Sequence, residues 1–178
     1  MIRIKKYVFD LDNTLIYTDY LNNAAYNYSL KCNGLSPINN CKRITREIVF
    51  ESYPQLNNIQ KDKIVKLKQQ YFINNLHITK GNDLLIKMLH FENKDNSILW
   101  TSADKTRVAA LLDYYDINKL FKNIFFSSKT KVEYDIKKIC ELHECEAEQL
   151  FFYEDDLNVI KELKKLKLNV ISLVCRRT

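Results

Sequence analysis

The sequence predicts an α/β fold: a Rossmann-like, doubly wound parallel sheet with a small all-helical domain inserted after the first strand. Short apolar runs alternate with helical patterns through residues 81–178, and this alternation is typical of a parallel sheet with helices on both faces. Residues 16–80 break the alternation because they contain helical patterns without a convincing strand. A chain of 178 residues is long enough for one substantial core with a small appendage.

Five runs are predicted as strands because they are short, apolar and followed by polar residues. They cover residues 4–9, 97–101, 124–127, 150–153 and 170–174. Between them, helical periodicity predicts helices near 82–90, 104–115, 132–144 and 157–167. We therefore assign residues 1–15 and 81–178 to the α/β core.

Residues 16–80 are predicted to form the second domain, with helices near 20–32, 41–53 and 58–73. Gly34, Pro37 and Pro54 separate these patterns. Most of its many aromatic side chains are assigned to the domain's own core, because a unit of about 60 residues needs the area that they bury. Tyr17 and Tyr20 lie nearest the hinge and are the best candidates for contact with a substrate.

Composition and charge restrict the class of protein. At 46% hydrophobic and 28% charged residues, the chain is typical of a globular protein. Its apolar runs are too short to span a membrane, and Asp10 interrupts the first run too early for a signal peptide. The odd number of cysteines, five, argues against a disulfide framework. We expect a cytoplasmic protein.

Two features invite other interpretations. Cys140, His143 and Cys145 lie close together in the sequence, but no fourth ligand accompanies them, so a helix and its following turn are expected rather than a zinc site. The net charge of +6 permits a nucleic-acid partner. It fits a lysine-rich solvated surface better, because the lysine-rich run 161–167, with leucines at 163 and 166, has the pattern of an amphipathic helix. Nucleic acid is permitted but not favoured.

Polar residues follow the ends of the predicted strands, where parallel sheets bind ligands. They are Asp10 and Asp12, Thr101 and Ser102, a lysine near 129–131, and the acids Glu154, Asp155 and Asp156. Phosphoryl transfer to a carboxylate needs this set. One carboxylate attacks phosphorus, Mg²⁺ screens the two anions and a second carboxyl handles the proton. A hydroxyl and an ammonium hold the phosphoryl oxygens.

The spacing of Asp10 and Asp12 favours this chemistry. If the chain stays extended beyond the strand, side chains two residues apart point to the same side. One carboxylate can then attack while the other transfers the proton.

These segments resemble the haloacid dehalogenase-like (HAD) hydrolase superfamily. Residues 9–15, FDLDNTL, resemble its motif one, residues 98–102, ILWTS, its motif two, and residues 152–155, FYED, its motif four. Residues 18–34 resemble the start of a helical cap between motifs one and two, and residues 81–85 resemble the return to the core. Residues 131–174 also resemble the magnesium-dependent phosphatase branch.

The resemblance implies roles for individual residues. Asp10 would be the nucleophile, Asp12 the general acid and base, and Thr101 and a lysine the phosphoryl-binding groups. Asp10, the backbone carbonyl of Asp12, Glu154 and Asp155 would surround Mg²⁺, while Asp156 starts a helix or lies behind the metal. Thr14, Ser102, Tyr17 and Tyr20 would contact the substrate. An aspartate two residues after the nucleophile goes with phosphatases and phosphomutases in this family.

The sequence alone leaves the site lysine open between Lys129 and Lys131. Lys131 is favoured because it directly precedes a predicted helix with an apolar stripe, which resembles the family's placement of its lysine. Lys129 is expected in a solvated loop.

We therefore expect a Mg²⁺-dependent phosphatase that hydrolyses a small phosphate monoester through an aspartyl-phosphate. A phosphomutase and a polynucleotide end-phosphatase could use the same residues, and a catalytically quiet binding protein could share the fold. The sequence identifies neither the substrate nor the oligomeric state.

Overall fold

The computed structural model describes residues 4–39 and 41–173. The chain divides into two compact units, Tyr17–Lys80 and Met1–Ile16 with Gly81–Thr178. In chain order the elements are β1 (Lys6–Phe9), β2 (Ile16–Tyr17), α1 (Asp19–Cys32), α2 (Arg46–Ser52), α3 (Asn58–Asn74), β3 (Lys80–Gly81), α4 (Asp83–Phe91), β4 (Ser97–Thr101), α5 (Lys105–Tyr114), β5 (Asn123–Phe126), α6 (Val132–His143), β6 (Leu150–Glu154), α7 (Leu157–Lys165) and β7 (Asn169–Ser172).

The core unit is built on a five-stranded sheet with the order β5-β4-β1-β6-β7. Each neighbouring pair of strands is parallel, and β1 lies between β4 and β6. The chain moves outward from β1 in two directions, which is the doubly wound arrangement, and the predicted α/β fold class is confirmed. Because all the strands point the same way, their carboxyl ends meet at one edge of the sheet.

Apolar strands explain why this sheet forms the centre of the unit. Every residue of β4 is buried, as expected for a strand covered on both faces. Val8, Trp100 and Phe152, from three adjacent strands, pack in one cluster with Ile136 of α6 and Leu163 of α7. The central strands are therefore fixed by packing, and the residues that follow them are held in place.

Capping side chains explain where two of the helices begin. The predicted helix near 104–115 begins one residue later, at Lys105, and the predicted helix near 157–167 begins at Leu157, as expected. Asp104 accepts hydrogen bonds from two backbone amides at the start of α5, and Asp156 does the same for α7. The first and last predicted strands, 4–9 and 170–174, are shorter in the structure, and residue 174 lies outside the described residues.

The second unit is helical, with α1 and α3 packed against each other. Its apolar core includes Tyr26, Leu30, Ile44, Val49 and Ile64. The very short strands β2 and β3 pair with each other, although no strand was predicted there.

The predicted helix near 41–53 begins later, at Arg46, for a specific reason. Asparagine side chains of α1 hold the preceding loop in a non-helical conformation. Asn27 both donates to the carbonyl of Ile38 and accepts from its amide, and Asn23 accepts from the amide of Ile44. The helix starts only after Thr45, whose hydroxyl caps it.

Among the described residues, no helix combines the length and the apolar character needed to cross a lipid bilayer.

Candidate active site

Asp10 follows β1 directly and is buried at the carboxyl edge of the sheet. Its amide donates to the carbonyl of Tyr153 at 3.0 Å, so the residue is still tied to the neighbouring strand β6. The chain then turns sharply at Asn13, whose φ is 58°. The amides of Leu15 and Ile16 donate to the carbonyl of Leu11 across this turn. The backbone of the predicted motif is therefore fixed on both sides of Asp12.

Lys129 is the lysine that reaches Asp10. Its Nζ lies 2.5 Å from Oδ1 of Asp10 and 2.7 Å from Oε2 of Glu154, and only 7% of its side chain is exposed. Three elements meet here, because Asp10 follows β1, Glu154 ends β6 and Lys129 follows β5.

The preference for Lys131 as the site lysine is corrected by this geometry. Lys131 is the N-cap residue of α6 and lines a surface groove with Glu133 and Lys137. Lys129 adopts a left-handed backbone conformation, with φ at 57°. That turn changes the direction of the chain before α6 and directs the side chain of Lys129 toward Asp10 and Glu154. Side-chain alternation along an extended segment does not predict such a turn.

The three charged groups alter one another's protonation. Burial raises the pKa of Asp10 to about 7, although the Lys129 ammonium opposes the rise. Burial likewise raises the pKa of Glu154 against the same ammonium. The pKa of Lys129 rises to about 12, because the attraction of both carboxylates outweighs burial, which lowers it. A lysine between two carboxylates therefore stays charged and offsets their repulsion.

Asp10, Glu154 and Asp155 form an acidic group in which one ligand atom of each lies within 4.8 Å of the others. Oxygen donors at such spacing suit a hard divalent cation, and Mg²⁺ is commonly held by one or two protein carboxylates together with waters. The donor set fits the predicted metal.

The contribution of Glu154 to such a site is constrained. Its Oε1 accepts the amides of Asp155 and Asp156 at 3.0 and 3.1 Å, and its Oε2 accepts Lys129. Asp156 caps α7 through its own carboxylate, which matches its predicted role at a helix start. Asp155 is the third member of the acidic group and is half-buried.

Asp12 has a partner that sequence reasoning missed. Its carboxylate is paired with the guanidinium of Arg107, a buried residue on α5. Arg107 lies beside Val108 and Leu111 on the buried face of α5. An arginine on an otherwise apolar helix stripe was the available signal, since buried charges need a partner.

The three hydroxyl residues that the sequence placed at the site differ in how deeply they are buried. Thr101 ends β4 and is buried, and its Oγ1 accepts the amide of Ala103 at 3.1 Å. Ser102 follows it and is exposed. Thr14 is 0% exposed, and its carbonyl accepts the side chain of Asn82. The contact between Thr14 and a substrate stays a prediction.

Tyr17 and Tyr20 belong to the helical unit. Tyr17 is in β2 with 37% of its surface exposed, and Tyr20 is in the first turn of α1 with 77% exposed. Their contact with a substrate stays a prediction.

The fold and this edge define a Rossmann-like α/β protein with a lysine-bridged carboxylate site.

No protein-family model matches the sequence, and no curated protein matches it. Solved structures do. A HAD hydrolase, family IA, variant 3, from Entamoeba histolytica is 17% identical, with 98% of this chain and 86% of that chain covered and a TM-score of 0.79.

Two further solved structures have a similar fold. A predicted phosphoglycolate phosphatase from Haemophilus somnus is 17% identical over 97% of this chain and 86% of that chain, with a TM-score of 0.78. A haloacid dehalogenase-like family hydrolase from Streptococcus pneumoniae is 19% identical over 97% and 85%, with a TM-score of 0.71. The chain has the fold of the haloacid dehalogenase-like hydrolases, as the sequence motifs predicted.

Proposed function

We propose that the protein is a Mg²⁺-dependent phosphatase that hydrolyses a small phosphate monoester through a phosphorylated Asp10. The observation that carries the proposal is the buried Asp10 carboxylate, which lies against Lys129 and within reach of Glu154 and Asp155. A structural ion pair would need only one carboxylate. A lysine shared by two acids, with a third acid beside them at a sheet edge, is typical of a site for a charged substrate.

In the first half-reaction, a carboxylate oxygen of Asp10 attacks phosphorus and the ester P–O bond breaks. Asp12 gives a proton to the departing oxygen, so the product leaves as an alcohol. In the second half-reaction, Asp12 takes a proton from water and the resulting hydroxide attacks phosphorus. Inorganic phosphate then leaves, and the Asp10 carboxylate and the protonated Asp12 are restored.

Two residues would hold the transferring phosphoryl group. The Lys129 ammonium lies beside the nucleophile and can bind a phosphoryl oxygen as charge moves between substrate and enzyme. The hydroxyl of Thr101, at the end of the neighbouring strand β4, can donate a second hydrogen bond. Arg107 acts through Asp12, because its guanidinium fixes the direction of that carboxylate.

Asp10 and Asp155 would hold Mg²⁺, with Glu154 and the backbone carbonyl of Asp12 as further candidates. When bound, the ion supplies positive charge that reduces the repulsion between an anionic nucleophile and an anionic substrate.

We propose that the substrate is small. One protein of similar fold carries the name of a phosphoglycolate phosphatase, and the helical unit offers Tyr17 and Tyr20 as exposed aromatic contacts. We propose that these side chains touch the part of the substrate that leaves.

The test is hydrolysis of an aryl phosphate with Mg²⁺ and in excess chelator, together with trapping of phosphate on the protein. We expect turnover only with Mg²⁺, and acid-stable phosphate attached at Asp10. Asp10→Asn should abolish both, because an amide is a far poorer nucleophile. The matched control is Asp113→Asn, which changes an exposed carboxylate of α5. Full turnover in chelator, or in Asp10→Asn, would contradict the proposal.

A further inference from the structure

The loop that carries Lys129 is held by three buried or half-buried side chains, Trp100, Ser127 and Asp135. We call them the Ser127 network. Lys129 has a left-handed backbone with φ at 57°, a conformation that residues other than glycine rarely adopt. Such a conformation persists only where the surrounding structure enforces it. The network supplies that restraint.

Ser127 is the centre of the network. Its Oγ accepts the indole N–H of Trp100 at 2.8 Å and the backbone amide of Lys129 at 3.2 Å, and it donates to Oδ2 of Asp135 at 2.6 Å. A hydroxyl has one donor and two acceptor positions. All three are used, so the hydroxyl has a single orientation and ties the amide of Lys129 to β4 and α6.

Trp100 also contacts the side chain of Lys129 directly. The Nζ of Lys129 lies 4.8 Å from the centroid of the indole ring, within the range of a cation–π interaction. The ring therefore lies beside the ammonium while the indole N–H restrains the backbone of the same residue through Ser127. Trp100 is buried in β4, immediately before Thr101, so the support is rigid.

Asp135 sets the direction of the serine proton. It is buried in the first turn of α6, where a negative charge is favoured by the helix dipole. The other two partners of the Ser127 hydroxyl, the indole N–H of Trp100 and the amide of Lys129, are both donors. The proton of Ser127 must therefore point to Asp135, which leaves both acceptor positions for Trp100 and for the amide of Lys129.

From this geometry we infer that Ser127, Asp135 and Trp100 are positioning residues, which hold the Lys129 ammonium against Asp10 and Glu154. None of the three touches the reacting atoms. The kinetic part of the inference rests on the proposed phosphatase function, whereas the placement of Lys129 does not.

The kinetic test uses Ser127→Ala and Asp135→Ala. Each should lower kcat by roughly 10- to 100-fold, since a misplacement of about 1 Å can cost about 10²-fold. In a Lys129→Ala background, the same changes should have no further effect, because their role is to place that lysine. Full additivity in this double-mutant cycle would show a general structural role and overturn the inference. The control is Ser128→Ala, whose exposed hydroxyl bonds Thr130.

A second test needs no activity. Trp100 is the one tryptophan of the chain, so intrinsic fluorescence reports on the network directly. We expect Ser127→Ala to shift its emission to shorter wavelength, because the indole N–H loses its partner, and Lys129→Met to change its intensity. Lys131→Met and Ser128→Ala should leave both unchanged. A response to Lys131→Met equal to that of Lys129→Met would overturn the inference.

Amine labelling measures the placement of Lys129 itself. In the folded wild-type protein, acetylation followed by mass spectrometry should find Lys129 protected and Lys131 reactive. Ser127→Ala and Asp135→Ala should raise the labelling rate of Lys129 several-fold without altering that of Lys131. Protection unchanged in both variants overturns the inference even if the protein is an active phosphatase. Increased labelling supports it even if no phosphatase activity is found.

Discussion

The Nζ of Lys129 lies 2.5 Å from Oδ1 of Asp10, although the two residues are 119 positions apart in the chain. The same ammonium reaches Glu154, so one lysine joins the ends of β1 and β6. In the proposed function, this charge lies beside the carboxylate that attacks the phosphate ester. The pair is therefore the arrangement on which the catalytic proposal depends most directly.

Lys129→Ala should reduce kcat by about 10²- to 10³-fold, the usual effect of removing one preorganised charge stabiliser. Lys131→Ala should change kcat little, because Lys131 lies at the start of α6. Side-by-side kinetics on both variants measure the difference, with folding checked by circular dichroism. Lys129→Ala also leaves two buried carboxylates without their partner, which costs stability, so Lys129→Arg, which keeps a positive charge between them, serves as a second variant. A severe loss in Lys131→Ala alone would restore the sequence-based preference.

The pairing of Arg107 with Asp12 should be visible in kinetics. Asp12→Asn is expected to lower kcat by roughly 10²- to 10⁴-fold, the usual contribution of general acid–base catalysis. Arg107→Gln should lower kcat less, and adding it to Asp12→Asn should cost little more, because Arg107 acts through that carboxylate. Arg107→Lys, which keeps the charge without the planar fork, should fall between wild type and Arg107→Gln. Independent, additive effects would contradict a positioning role for Arg107.

Asp155 should determine the affinity for Mg²⁺. Asp155→Asn removes a carboxylate from the acidic group, so the Mg²⁺ concentration for half-maximal activity should rise by at least about tenfold. Calorimetric titration of the free protein with Mg²⁺ checks the same effect without turnover. Asp156→Asn is the matched control: its side chain caps α7, and asparagine is as good a cap as aspartate. Equal effects in the two variants would remove Asp155 from the metal site.

His143 should make stability depend on pH. Burial, with the nearby charges of Lys122 and Lys6, lowers the pKa of this histidine from 6.5 to about 4. Between those values the unfolded chain binds a proton that the folded protein does not. His143 by itself therefore lowers the free energy of unfolding as the pH drops from about 6.5 to about 4, whereas Asp10, whose pKa burial raises to about 7, contributes in the opposite direction.

Chemical denaturation across that pH range tests the effect. His143→Gln removes the contribution of this residue, so between pH 6.5 and 4 the unfolding free energy of the variant should fall less, or rise more, than that of the wild-type protein. His90→Gln, which changes an exposed histidine of α4, should leave the slope as in the wild-type protein. An unchanged slope in His143→Gln would mean that other groups cause the pH dependence.

The local pattern of apolar and polar residues predicted the fold class and the ends of the strands. Buried parallel strands need continuous apolar runs, and such runs precede Asp10, Thr101 and Glu154 directly. The edge at which parallel strands end then follows from topology alone. Motif one added the family resemblance, which agrees with the fold of the solved structures. The sequence pattern of the cysteines and the histidine near the end of α6 did not predict that His143 is buried.

The sequence by itself determined the alternation of strands and helices and the chemical types gathered at the sheet edge. Only the tertiary structure decided which lysine lies beside Asp10, and that Asp12 is paired with Arg107. The reason is that both depend on distant partners. Lys129 is directed by a left-handed turn that Trp100, Ser127 and Asp135 support, and no local periodicity encodes hydrogen bonds between separate elements.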